Sequence, residues 1–277
     1  MATRELMGSL GEESRFVVSG VPVLLYHALV RSSRGSVESR EAKYEVSCTT
    51  FQSHVRRIRE RGQRILSMKE MLDASGAPLS ESAVGITFDD GFVSDYQEAF
   101  PVLVKEGARG DFFVNTANIG KPGYLSWEQI REMHEGGMGI HSHGHSHAAL
   151  SLLPLDALRR ELGTSRKLLE DKLGSPVELI AAPYGLMNRR VIREAFASGY
   201  RGVCNSRQWP ATLGSRSINR VAIYGSTSLK EFSDLLARRP GPYLRRLGRA
   251  VGIYFPRKLV LKFQPKLLGV IVQEESA

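Results

Sequence analysis

Cysteine is nearly absent: the chain of 277 residues has two, Cys48 and Cys204. Two thiols make neither a disulfide framework nor a cysteine-based zinc site. No run of about 18 apolar residues occurs. The opening stretch MATRELMGSLGEESRF also lacks the apolar centre of a signal peptide, so the expected address is a reducing cytosol. Internal repeats and low-complexity tracts are missing as well. With 42% hydrophobic and 24% charged residues, the composition excludes disordered, collagen-like and coiled-coil classes. Acidic residues are missing from one place. Between Leu235 and Gln273 there is no Asp or Glu but nine basic residues, which leaves 29 basic against 29 acidic residues elsewhere. The net charge of +9 is therefore one C-terminal block on a neutral body.

What is present is a rhythm. Residues 1–20 are polar and glycine-bearing and read as a mobile tail. From Val21 to about residue 237, short apolar runs alternate with helical patterns, and residues 238–277 form a basic extension. VPVLLYH (21–27), AVGITFDDG (83–91), GDFFVNT (110–116) and VELIAAPYG (177–185) read as strands, with YRGVCN and SINRVAI supplying the last short ones. Helices are expected over 50–62, about 94–106, 126–137, about 154–173 and 188–200, the third capped by Ser126. Alternating β and α units imply a parallel sheet covered by helices, either a barrel or a doubly wound sheet. The polar clusters YH, DDG, HSHGHSH and PYG each stand where an apolar run ends. In a barrel those strand ends converge on one face, where active sites lie, and this favours the barrel.

The chemistry concentrates in histidine and aspartate. Four of the seven histidines, His141, His143, His145 and His147, alternate within seven residues. On a strand all four would share one face, too many for one ion. Gly144 interrupts the strand, so His143 and His147 can meet on a single metal, with a carboxylate completing the set. Asp89 and Asp90 in ITFDDG supply that carboxylate. Adjacent residues at a strand end project differently, so one can bind metal while the other acts as a base. A lone DDG would read as an ordinary strand-to-helix turn.

TFDDG, the H-x-x-x-H spacing in HGHSH (143–147) and PYG (183–185) together resemble the polysaccharide deacetylase family, the NodB-homology domain of carbohydrate esterase family four. The similarity runs from VPVLLYH to the helix at Leu229–Leu236. It implies a distorted (β/α)7 barrel and hydrolysis of an N-acetyl group on a sugar, releasing acetate and a free amine. Asp90, His143 and His147 would be the metal ligands and Asp89 the catalytic base. The backbone amide of Tyr184, beside Pro183, would hold the oxyanion. Zinc is the usual metal, with Co2+, Ni2+, Fe2+ or Mn2+ as alternatives. A bound metal lowers the pKa of a water from 15.7 towards about 7 and polarises a carbonyl.

Two departures from the family pattern stand out. Where the family places an arginine two residues before that proline, to orient the base, this chain has Ala181. The late histidine that serves as general acid is also missing, since none follows His147. His27, ending the first strand, is the candidate acid. An early histidine and a third motif without arginine resemble the poly-N-acetylglucosamine deacetylases. His54 and His134 read as structural, and Trp209 as core rather than a sugar platform. His141 and His145 read as pocket walls or supports of the ligands, and Asp111, if it faces inward, as a partner for a histidine.

Two other readings keep the barrel: an allantoinase-like hydrolase of non-sugar C–N bonds, and a non-catalytic carbohydrate-binding protein. Leu244, Leu247, Val251 and Tyr254 recur at helical spacing in the extension, with Arg245, Arg246 and Arg249 on another side. This resembles an interfacial helix and suggests contact with an anionic membrane surface at the cytoplasmic face. Nucleic acid is the least favoured partner, because the block lacks the interleaved aromatics of a base-stacking platform.

Overall fold

Strands buried on both faces are built from continuous apolar runs, and the runs around Leu24, Ile86, Phe112, Ile180 and Val203 are buried throughout. The computed structural model describes residues 17–31, 42–74 and 82–247. In chain order the strands are β1 (Val23–Tyr26), β2 (Leu29–Val30), β3 (Val46–Ser47), β4 (Arg64–Ile65), β5 (Ala83–Asp90) and β6 (Asp111–Val114). They continue with β7 (Gly139–Ser142), β8 (Leu179–Ala181), β9 (Gly202–Cys204), β10 (Ser217–Ile218) and β11 (Val221–Ala222). The α-helices are α1 (Cys48–Glu60), α2 (Met68–Asp73), α3 (Phe100–Lys105), α4 (Trp127–Glu135), α5 (Leu155–Leu173), α6 (Arg189–Ala197) and α7 (Leu229–Leu236).

The strands pair in parallel in the order β1-β5-β6-β7-β8-β9-β10, and β11 returns to β1. One stretch, Ser217–Ala222, closes the ring. Its first two residues pair with Val203 and Cys204, and its last two with Leu24 and Leu25. Counted around the ring, this is the (β/α)7 barrel that the motifs imply, distorted where one short broken strand serves both edges.

Alternation along the strands sorts side chains into two cores. Leu24, Phe88, Phe112, Ile180 and Val203 face the helices, meeting Phe51 and Ile58 of α1, Leu162 of α5 and Phe232 of α7. Val23, Phe113, Leu179, Ala181 and Cys204 fill the interior together with Met68, Met71 and Leu72 of α2. That short helix, which the sequence pattern does not announce, plugs the barrel floor. Gly85 makes room for it, because a Cβ there would lie 2.5 Å from the Met68 methyl carbon.

Five of these seven α-helices start where a side-chain acceptor stands. Ser47 caps α1, and Ser126 with Gln129 forms a capping box on α4. The helix expected over 94–106 is instead a π-turn at Asp95–Ala99 followed by α3. Pro101 has no N–H to donate and would crowd a preceding carbonyl, and the wider turn accommodates it.

Residues 1–16 of the expected tail and 248–277 of the basic extension lie outside the described residues. Val18, within that tail, donates its amide to Arg238 O at 2.9 Å. Residues 240–247 are helical and packed on the body. Tyr243 is fully buried there, and Arg246 reaches Glu231, Thr227 and Ala222 O.

Candidate active site

The end of β5 delivers Asp89 and Asp90, and the end of β7 delivers His143. Register places Asp89 beside Phe113 and Phe113 beside His141, so the two motifs are separated by a single strand. Past β7 the chain turns at Gly144 and brings His147 back. Asp90 Oδ1 lies 3.3 Å from His143 Nε2 and 3.1 Å from His147 Nε2. The three side chains form a group whose ligand atoms all lie within 4.8 Å of one another.

These residues fit a divalent ion. Ligand atoms about 2.0–2.2 Å from one tetrahedral ion stand roughly 3.3 Å apart, which matches both separations. Each imidazole is also fixed from behind. His143 Nδ1 donates to Ala181 O at 3.0 Å, and His147 Nδ1 lies 3.2 Å from the Tyr184 hydroxyl. Such partners set the tautomer so that Nε2 faces the ion. Three residues here hold left-handed backbone, Asp90 (φ 79), His147 (φ 58) and Tyr184 (φ 60). Strain of this kind collects at functional sites. Burial works to raise the Asp90 pKa, but the nearness of His143 and His147 outweighs it and holds the carboxyl well below its usual range.

Asp89 faces the other way. Its two oxygens accept from Arg220 Nη1 at 2.6 Å and Nη2 at 2.8 Å, a bidentate pair with a guanidinium that is fully buried. Burial works to raise the Asp89 pKa, but the charges of Arg220 and His143 outweigh it and lower it. Arg220 thus occupies the role left open by Ala181. It comes from the broken closing strand, between β10 and β11. Sequence reasoning missed it, although an arginine inside the apolar run SINRVAI was a visible signal.

His27 follows β1 and lies within electrostatic reach of Asp90, Asp89, His143 and Arg220; burial lowers its pKa below the usual 6.5. Its ring stands 4.5 Å from that of Tyr44, and its Nδ1 is buried without a partner among the described residues. Pro183 is buried and opens the turn Pro183–Gly185 that carries Tyr184. The site therefore gathers Asp89, Asp90, His143, His147, Tyr184 and His27. Asp95, in the π-turn, is a further buried carboxyl that the motifs do not mark. Burial, then the charges of Asp90 and Asp89, push its pKa well above the usual value.

The remaining polar residues separate cleanly. His141 Nε2 bonds Asp111 Oδ1 at 2.9 Å, so Asp111 does face inward and partner a histidine. His145 Nδ1 lies 2.9 Å from the Thr116 hydroxyl. His54 is buried, stacked on Phe232 and bonded to the Tyr26 hydroxyl. His134 meets Ser175, and Trp209 packs edge-on against buried Tyr243.

Comparison with known proteins agrees with this geometry. The family model for polysaccharide deacetylases matches residues 76–203. YxkH of Bacillus subtilis (strain 168), assigned to the polysaccharide deacetylases, is 32% identical over 184 residues, 65% of this chain and 62% of that protein. The poly-beta-1,6-N-acetyl-D-glucosamine N-deacetylase of Staphylococcus aureus (strain MRSA252) is 28% identical over 54% of this chain and 57% of its own length. The chain thus spans about three fifths of the length of these two relatives. Among solved structures, the Streptococcus pyogenes deacetylase PplD in complex with acetate aligns with TM-score 0.69 and 26% identity. That alignment covers 80% of this chain and 99% of PplD. A polysaccharide deacetylase from Bacillus cereus aligns with TM-score 0.68 and 25% identity over 79% of this chain and 69% of its own. Motifs, barrel and these likenesses agree: residues 76–203 match the polysaccharide deacetylase model, and the chain is similar in sequence and fold to members of that family.

Proposed function

We propose that the protein is a metal-dependent hydrolase that removes the acetyl group from an N-acetylated sugar, releasing acetate and a free amine. The observation that carries this reading is the division of labour between adjacent carboxylates. Asp90 faces two imidazoles at 3.3 and 3.1 Å, while Asp89 is held bidentately by Arg220. A divalent ion held by Asp90, His143 and His147 supplies Lewis acidity to the acetyl carbonyl and to the attacking water. With its nitrogen and oxygen donors the set suits zinc, with Co2+, Ni2+, Fe2+ or Mn2+ also compatible. Asp89, fixed by Arg220, accepts the proton of the attacking water. The Tyr184 amide donates to the developing oxyanion. His27 gives a proton to the leaving nitrogen, which is a poor leaving group without it.

The Staphylococcus aureus relative is named for N-deacetylation of poly-N-acetylglucosamine, and PplD was solved with acetate, the product proposed here. Ala181 in place of the family's arginine would favour an allantoinase-like hydrolase, but Arg220 pairs with Asp89 instead. The binding-protein alternative needs a broken ligand set, whereas Asp90, His143 and His147 are all in place. The test is acetate release by the metal-loaded protein from N-acetylglucosamine oligomers, lipid-linked N-acetyl sugars and ureides. Release from at least one acetylated sugar and none from ureides is expected; turnover of ureides alone would overturn the reading.

We also propose contact with an anionic membrane surface, at the cytoplasmic face if the chain is cytosolic, and one observation supports the contact itself. On the helical segment 240–247, Leu244 and Leu247 are 57% and 36% exposed, just before the basic block continues. Arg246, by contrast, is buried and paired, so it is not among the charges offered to lipid. Among the described residues no helix is long and apolar enough to cross a membrane. Each Lys or Arg near such a surface contributes about 1 kcal/mol. Full-length protein is expected to co-sediment with anionic vesicles at low salt. A variant with Arg249, Arg257, Lys258, Lys262 and Lys266 changed to Gln should stay in solution, and equal recovery of both would end the idea.

A further inference from the structure

The turn that returns His147 to the site is held from outside by one helix. Glu161, in the middle of α5, accepts hydrogen bonds through Oε2 from the His145 amide at 2.8 Å and the Ser146 amide at 2.9 Å. Its other oxygen, Oε1, accepts from the Ser146 hydroxyl. One turn further along the same face of α5, Ser165 is fully buried and bonds the Ser142 hydroxyl at 2.8 Å. That hydroxyl oxygen accepts the Gly144 amide at 3.0 Å. Residues i and i+4 of a helix share a face, so a single face of α5 takes the amides of residues 145 and 146 directly and reaches that of residue 144 through Ser142.

Those three amides lie between the two histidine ligands. The chain between them passes through left-handed backbone at Gly144 (φ 82) and again at His147 (φ 58). For a non-glycine residue, left-handed backbone persists when neighbouring contacts over-determine it. A carboxylate receiving two adjacent amides and a hydroxyl is such a contact, and charge makes these bonds stronger than neutral ones. The Glu161 carboxylate bonds the turn at residues 145 and 146, not the side-chain atoms that face the ion.

We propose that Glu161 is a positioning residue for the metal ligands: by gathering the His145 and Ser146 amides it fixes the turn from which His147 Nε2 meets the Asp90–His143 edge. The proposal rests on the reading of Asp90, His143 and His147 as a metal site. It assigns to α5 a part that neither the motifs nor the comparisons give it. Without the carboxylate, the turn relaxes at His147, and the separation that matches a shared ion is no longer imposed.

The test measures metal affinity rather than turnover. Apo full-length protein is titrated with zinc against a chromophoric chelator and with cobalt while its visible absorption is followed. Wild type, Glu161→Ala, Glu161→Gln, Glu161→Asp and Lys167→Ala are compared, the last being a solvent-facing change on the same helix. Removing a group that orients a ligand typically costs about 10–100-fold in affinity. Glu161→Ala is expected to weaken zinc binding by that factor and to alter the cobalt spectrum, with an apo melting temperature near that of wild type. Glu161→Asp, which keeps the charge, should recover part of the loss, Glu161→Gln less, and Lys167→Ala should match wild type. Glu161→Ala binding zinc within twofold of wild type with an unchanged cobalt spectrum overturns the proposal and leaves the metal site standing. A loss matched by Lys167→Ala, or by a collapse of apo stability with an unchanged cobalt spectrum in the fraction that binds, also overturns it. Wild-type protein that binds neither ion overturns the metal site itself, and the proposal with it.

Discussion

The rim and the floor of this barrel each bury a carboxylate beside a nitrogen base, and they treat it differently. On the floor, Asp111 accepts from His141 Nε2 at 2.9 Å and from the Met68 amide at 2.9 Å. Gly139 leaves space for that pair, since a Cβ there would meet Asp111 Oδ1 at 2.2 Å. At the rim, Asp90, His147 and Tyr184 sit in left-handed backbone. There, side-chain atoms of His27, Asp95 and Asn115 are buried without a partner among the described residues. Both oxygens of the floor carboxylate are satisfied, and in that pair only His141 Nδ1 is buried without a partner among the described residues. The rim carries strain and unmet hydrogen-bonding capacity, as a surface prepared for a ligand does.

Breaking the Asp89–Arg220 pair at the rim should cost most. Arg220→Ala leaves Asp89 as an unpaired buried charge, a loss of about 3–5 kcal/mol. It should appear in urea unfolding together with a fall in acetate release. Asp111→Asn on the floor keeps an acceptor for the Met68 amide and should cost about 1–3 kcal/mol with turnover near wild type. Equal penalties at the two positions would erase the distinction. His27→Ala is expected to lower kcat by about 10²–10⁴-fold with metal content unchanged, and an unaltered kcat would remove His27 as the acid.

A pH-dependent effect concerns neither end. Burial holds the His54 pKa at about 4. An unfolded histidine titrates near 6.5, so the unfolded chain binds this proton first as pH falls. The contribution of neutral His54 is complete above about pH 6.5 and is lost progressively down to about pH 4, at most roughly 3 kcal/mol. His54→Gln should flatten the pH dependence of stability in that window, as read by denaturation at pH 7, 5.5 and 4.5. An identical slope would show that another group is responsible.

The grouping of Asp90, His143 and His147 was legible because its signals are local. Asp89 and Asp90 are adjacent, and His143 and His147 are four residues apart across a glycine. The barrel was legible because buried parallel strands must be apolar throughout. Arg220 was not, because it lies 131 residues from the aspartate it serves and marks only a charge within an apolar run. The π-turn at Asp95–Ala99 was hidden because an apolar period looks the same for either helix type. The plug formed by α2 was hidden because six residues show too little periodicity to be distinguished from a loop. Asp111 was anticipated as a partner for a histidine, and the structure identifies that histidine as His141.

The central claim is that two neighbouring aspartates do different work, Asp90 holding the ion and Asp89 moving the proton. Asp89→Asn tests it most directly, with zinc content and acetate release measured on the same preparation. The account predicts one zinc per chain, as in wild type, with turnover reduced about 10²–10⁴-fold. Turnover at the wild-type level, or loss of the zinc with Asp90 intact, would contradict it.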